Sequence, residues 1–135
     1  MAVMDTSVAI HILKNVELGK FILDNFKAEL TATTSITLNE VLIGVREKDQ
    51  QVATEFLKNF EVLSFDEKAA YKSVEIESKL NKKGAIIEKL DIFIASICLI
   101  KRIPLITTDK HFTRIEGLKV IIPEIKQAKD SHNNL

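Results

Sequence analysis

Two apolar runs in this 135-residue chain lead into aspartates. Ala2-Val3-Met4 runs into Asp5, and Pro104-Leu105-Ile106-Thr107-Thr108 runs into Asp109. Both runs read as short buried strands. In an open parallel α/β sheet, ligands bind beyond the carboxyl ends of the strands, where strand order reverses. A strand that delivers a carboxylate there delivers chemistry. Each aspartate also has a local explanation, as a cap or turn residue for the segment that follows.

Two helical acids strengthen the chemical reading. Glu40 projects away from the apolar face formed by Leu38, Val41, Leu42 and Val45, yet its one-turn neighbours are Ile36, Ile43 and Gly44. It sits either at the edge of the core, where a lysine could pair with it, or in a lined pocket. Asp91 opens a nearly all-apolar helix, with Ile94, Ala95 and Cys98 on its side. An ionised aspartate there is costly unless compensated, and a helix N-terminus returns only about 0.3–1 kcal/mol. A first-turn aspartate serving the helix dipole is the bland alternative. Glu88, one turn earlier, would repel Asp91, and a cation would relieve that repulsion.

If Asp5, Glu40, Asp91 and Asp109 converge, their mutual repulsion calls for a bound metal or for protonation. An all-oxygen donor set points to Mg²⁺ or Mn²⁺ rather than Zn²⁺. His11, His111 and His132 lack metal-ligand spacing and read as surface or turn residues. There is no glycine-rich phosphate loop and no visible Ser-His-Asp set. Thr6, Ser7, Thr107 and Thr108 flank the acids, where they can cap helices or hydrogen-bond a carboxylate or a water.

The elements that must position these groups alternate between strand and helix. Strands are expected at Ala2–Met4, Leu30–Thr34, Glu61–Phe65, Pro104–Thr108 and Leu118–Ile122. Helices are expected from Thr6 or Ser7 to about Leu13, over Val16–Phe26, 36–48, Gln51–Phe60, from a cap at Asp66 to Lys83, and over Glu88–Arg102, with a short helical turn at His111–Ile115. No two strands are close enough for a hairpin, so the pattern reads as βαβ units: a parallel sheet with helices on both faces. One domain over 1–125 and a polar, frayed tail over 126–135 are expected.

Composition is ordinary for a globular domain, with 46% hydrophobic and 28% charged residues. One cysteine excludes an internal disulfide, and Cys98 in its apolar run reads as an inert buried thiol. No opening signal segment is recognisable. Ile92–Ile100 is far shorter than the roughly 20 apolar residues a membrane crossing needs. A soluble, cytoplasmic protein without a membrane partner is expected. Zero formal net charge argues against a generic basic nucleic-acid binder. Between Lys79 and Lys119, however, nine basic residues face four acidic ones, which fits either an ordinary solvated surface or an acidic pocket with a basic rim, suited to a polyanion.

At these residues the chain resembles the PIN-domain family, and within it the VapC toxins of prokaryotic toxin–antitoxin pairs. Asp5-Thr6-Ser7 is similar to the first acidic motif, and Ile36-Thr37-Leu38-Asn39-Glu40-Val41 with Gly44 to the second. Gly84, Ile87, Asp91, Ile94 and Ala95 resemble the third. Thr107-Thr108-Asp109 with Phe112, then Ile115-Glu116-Gly117-Leu118, resembles the fourth. Thr108 stands where the family often carries asparagine, and Glu88 matches an acid present in some members. The resemblance spans about residues 1–122. It implies a three-layer α/β/α fold with strand order 3-2-1-4-5 and a metal-dependent endoribonuclease acting on RNA. It also implies a homodimer neutralised by a cognate antitoxin.

On this reading Asp5, Asp91 and Asp109 hold Mg²⁺ or Mn²⁺, and Glu40 ligates it or orients the attacking water. Leu18, Phe21, Phe56 and Leu57, at helical spacing, belong to the core or, where exposed, to a groove for an antitoxin helix. A phosphatase of the haloacid dehalogenase type is a poor fit, because Ser7 stands where that chemistry needs a second aspartate. An RNA-processing nuclease on the same fold, and a catalytically silent interaction module, are the remaining alternatives.

Overall fold

The computed structural model describes residues 1–125; the tail expected over 126–135 lies outside the described residues. Five short strands, β1 (Ala2–Met4), β2 (Leu30–Thr34), β3 (Glu61–Leu63), β4 (Leu105–Ile106) and β5 (Val120–Ile121), pair in parallel in the order β3-β2-β1-β4-β5. The last three are shorter than the apolar runs suggested. β1 sits at the centre, and strand order reverses between β1 and β4, as expected.

Among the described residues six α-helices cover the sheet: α1 (Thr6–Leu13), α2 (Glu17–Phe26), α3 (Ser35–Gly44), α4 (Gln50–Leu57), α5 (Glu67–Lys82) and α6 (Lys89–Lys101). Alternation along the strands divides the core in two. Ala2, Met4 and Ile106 pack with Val8, Ala9 and Ile12 of α1, Ile22 of α2, Val41 of α3 and Ala53 and Leu57 of α4. Val3 and Leu105 point the other way, onto Ala69, Ile76 and Leu80 of α5 and Ile92, Ile94 and Ala95 of α6. A buried sheet centre flanked by helices on both faces explains why β1 and β4 read as apolar runs rather than as alternating ones. Among the described residues no helix is long and apolar enough to cross a membrane.

Two helices stop well short of their expected spans: α4 ends at Leu57 rather than Phe60, and α3 ends earlier still. The apolar spacing through Val45 suggested a helix over 36–48, but α3 stops at Gly44. Val45 turns to extended backbone (ψ 155°), and a 3-10 turn at Glu47–Asp49 leads into α4. The Gln50 side chain donates to the Leu42 carbonyl at 3.1 Å, satisfying an acceptor that the shortened helix leaves open. Val45 still packs against the core, so its spacing reported burial and not helix.

The α5 terminus matters for the site. Asp66 caps the start of α5, accepting from Ala69 N at 3.0 Å. At the far end Gly84 adopts φ +70°, and Ala85 N donates to the Leu80 carbonyl at 3.0 Å. A left-handed glycine there turns the chain back toward α6, whose first turn carries Asp91.

Candidate active site

Asp5 leaves β1 at the reversal point with 3% of its surface exposed. Oδ1 accepts from Val8 N at 3.0 Å and from the Ser7 hydroxyl at 2.7 Å, and Oδ2 accepts from the Thr107 hydroxyl at 2.5 Å. It is therefore both the cap of α1 and a buried carboxylate in a built hydrogen-bond frame. Burial raises its pKa above the ordinary 3.8; the bonds from Thr107, Ser7 and Val8 oppose that rise, and the charge of Asp109 adds to it.

Sheet register decides which group faces Asp5. Met4 pairs with Ile106, so the residue beside Asp5 just past β4 is Thr107 and not Asp109. A second carboxylate at that position would face Asp5 directly; a hydroxyl donates to it instead. The Thr107 oxygen in turn accepts from Asp109 N at 3.0 Å, and the Ser7 oxygen accepts from Thr108 N at 3.1 Å, tying the β4 loop to β1. Asp109 lies two residues further on, as cap of a 3-10 turn over Lys110–Arg114, with Oδ1 accepting from His111 N at 2.8 Å.

Glu40 is half-buried on α3, and Thr6 Oγ1 donates to its Oε1 at 2.7 Å. Asp91 is half-buried in the first turn of α6. Its carboxyl is pushed up to about 6, first by burial and then by the charges of Asp109, Glu40, Asp5 and Glu88. All of those charges act against ionisation, the signature of several carboxylates sharing one field. Cys98, beneath the site, is buried, and burial together with the Asp5 charge raises its thiol to about 12, so it stays protonated as expected.

The four acids proposed from sequence line one open cleft of about 540 Å³ together with Glu88. Thr6, Ser7, Ile10, Ile86, Ile87 and His111 complete the lining. The chain thus brings residues 5, 40, 91 and 109 together. Two further features were not expected. His111, read as a turn residue, lies in the cleft with Nδ1 2.8 Å from Asp109 Oδ1. Its spacing of two from Asp109 in a turn was the only signal. Among the described residues no lysine or arginine lines the cleft, so the basic excess over 79–119 does not reach its walls. Part of that excess is engaged elsewhere: Lys89 bridges Glu77, and Lys79 bridges Glu75 and Glu116.

Among the described residues, no three His, Cys, Asp or Glu side chains are grouped closely enough to enclose a metal ion as they stand. Three of the acids are engaged in hydrogen bonds: Asp5 accepts from Ser7, Val8 and Thr107, Glu40 from Thr6, and Asp109 from His111 N. The donor set nonetheless fits a hard divalent cation, because it is all oxygen, carries several negative charges and has no cation of its own.

The PIN domain family pattern matches residues 2–118. Ribonuclease VapC1 of Methanocaldococcus jannaschii is 36% identical over 121 residues, covering 87% of this chain and 84% of that protein. Ribonuclease VapC2 of Rickettsia felis is 33% identical over 98 residues, 68% of this chain and 73% of that protein. Among solved structures, VapBC2 from Rickettsia felis bound to a DNA fragment from its promoter superposes with a TM-score of 0.79 at 27% identity, over 91% of this chain and 98% of that one.

Proposed function

Because this chain belongs to the PIN-domain family, among its VapC ribonucleases, we propose that it is a Mg²⁺- or Mn²⁺-dependent endoribonuclease and the toxin of a toxin–antitoxin pair. The observation that carries the reading is the acidic cleft at the sheet reversal, where burial and then the charges of its acidic neighbours raise Asp91 above an ordinary aspartate.

Asp5, Asp91 and Asp109 are assigned as the metal-holding residues. The bound metal supplies Lewis-acid activation of water and countercharge for the phosphodiester. The side chains do the rest. Ser7 and Thr107 fix the rotamer of Asp5, so one carboxylate is set before substrate arrives. Thr6 holds Glu40 by Oε1 and leaves Oε2 to orient the attacking water. Glu88 adds negative charge at the rim and strengthens the demand for a cation.

The test is incubation of the purified protein with total RNA in Mg²⁺, in Mn²⁺ and in chelator, with mapping of the new ends. Discrete ends that need metal are expected. Absence of cleavage under all conditions would favour a silent interaction module, and equal cleavage in chelator would remove the metal from the mechanism.

The partner is a cognate antitoxin, in keeping with the toxin–antitoxin complexes among structures of this fold. The residues expected to form its groove are mostly engaged in packing. Leu57 is buried, Leu18, Phe21 and Phe56 are half-buried, and Phe21 and Phe56 make edge-to-face contacts with Phe26 and Phe60. The exposed apolar groups of this half of the chain include Val16, Leu23, Ile43 and Val52, and Val52 lines a groove with Leu13, Val45 and Ala53 that also carries Lys14, Arg46 and Asp49. An amphipathic antitoxin helix fits there. Co-expression with the product of the adjacent gene should give a complex with suppressed ribonuclease activity. A homodimer is part of the same reading, tested by sedimentation.

A further inference from the structure

The acidic cleft is also lined by three apolar residues, Ile10, Ile86 and Ile87. Ile86 is the most exposed of them, with 86% of its surface open to solvent. Single exposed apolar residues are common and need no explanation. This one differs in how the backbone presents it. Ala85 and Ile87, on either side, both pack against the core cluster under α5 and α6. The loop is pinned at its start by the Ala85 N bond to the Leu80 carbonyl, after the left-handed turn at Gly84. The chain is anchored, released for one residue and anchored again, and the released side chain stands at the mouth of the cleft.

The lining of the cleft narrows what can lie against these residues. With no lysine or arginine in the lining, the countercharge for a phosphate would be the divalent cation held by the carboxylates, so the phosphate belongs on that side of the cleft. The apolar side suits an uncharged, flat, partly apolar group attached to the phosphate. In single-stranded RNA that group is the base. Unpaired bases are commonly seated against aromatic or apolar side chains, whereas paired bases in an A-form helix keep their faces stacked.

We propose that Ile86, with Ile10 and Ile87, forms the seat for an unpaired nucleobase next to the scissile phosphate, making Ile86 a substrate-positioning residue. The proposal rests on the ribonuclease reading and deepens it. The identity of one base flanking the scissile phosphate then affects binding.

The experiment uses the full chain, Ile86→Ser and Ile86→Val. The substrates are a single-stranded oligoribonucleotide spanning a mapped cleavage site, and the same oligonucleotide with an abasic residue on one side or the other of the scissile bond. Ile86 is exposed, so Ile86→Ser should fold and sediment as the parent does. On the intact oligonucleotide it should raise KM about 3–10-fold, the effect falling on KM rather than kcat, while Ile86→Val restores most of the loss. One abasic substitution should weaken the parent to a similar degree and abolish the difference between parent and Ile86→Ser. Equal KM for parent and Ile86→Ser overturns the seat alone. A loss that persists unchanged with both abasic substrates, or a changed sedimentation coefficient, also overturns it and marks Ile86 as a protein contact. A parent protein that cleaves no RNA overturns the ribonuclease reading together with the seat.

Discussion

Asp91→Asn should make the metal-free protein more stable while destroying its activity. Raising the Asp91 carboxyl from 3.8 to about 6 corresponds to about 3 kcal/mol of preference for the protonated form, before solvent is considered. The group is half-exposed, so screening reduces the usable figure to about 1.5 kcal/mol. Asparagine also loses the favourable interaction of a first-turn carboxylate with the α6 dipole, about 0.5 kcal/mol. The net gain expected at neutral pH is about 1 kcal/mol, a rise in melting temperature of about 3–6 °C for a chain of this size. The sign of the pH dependence follows from the raised value. The folded state binds this proton more tightly than the unfolded chain does, so the contribution of Asp91 to stability falls as pH rises from about 4 to about 6 and is lowest above that. Asparagine has no such titration, so its advantage is full above about pH 6 and disappears toward pH 4. Urea denaturation of both proteins in chelator, from pH 4.5 to 8, measures the difference directly. Added Mn²⁺ should stabilise the parent and not the variant. A variant less stable than the parent at pH 7.5 in chelator would show that Asp91 is satisfied in the fold, and the case for a charge-frustrated metal site would collapse.

Asp5→Asn keeps an α1 cap of comparable quality and removes a buried charge, so the protein should fold with little loss of stability and lose metal-dependent RNA cleavage; wild-type activity with verified metal present would remove Asp5 from the mechanism. Thr107→Val preserves shape but deletes the donor to Asp5 Oδ2 and the acceptor for Asp109 N. It should cost about 1–3 kcal/mol in urea denaturation at pH 7.5 and lower activity, whereas parental stability would mean that the hydroxyl frame is dispensable. Gly19→Ala gains helix propensity but would place a Cβ 2.2 Å from the His11 carbonyl oxygen, where α2 crosses the end of α1. A net loss of about 1–3 kcal/mol is expected by thermal denaturation, and an unchanged melting temperature would show that α1 and α2 separate without penalty.

Much of this protein was legible locally. An apolar run marked β1, β-branched content marked β2, the 3.6-residue spacing marked α2 and α5, and Asp66 with Gly84 marked the limits of α5. These signals work because burial of one face and satisfaction of helix ends are decided by residues close together in the chain. The same spacing failed at Val45, where burial continued after the helix had stopped and the Gln50 side chain, eight residues from Leu42, closed the end. Four acids in family order made the site recognisable as a set, and their gathering in one cleft depends on β1 and β4 lying side by side. What only the tertiary structure decided is which group faces which. The β1–β4 register sets Thr107 rather than Asp109 against Asp5, the turn after β4 brings His111 onto Asp109, and the loop after α5 sends Ile86 outward between two half-buried neighbours. Each of these depends on contacts between segments tens of residues apart, such as the Thr107–Asp5 bond across 102 residues, and no local periodicity carries that information.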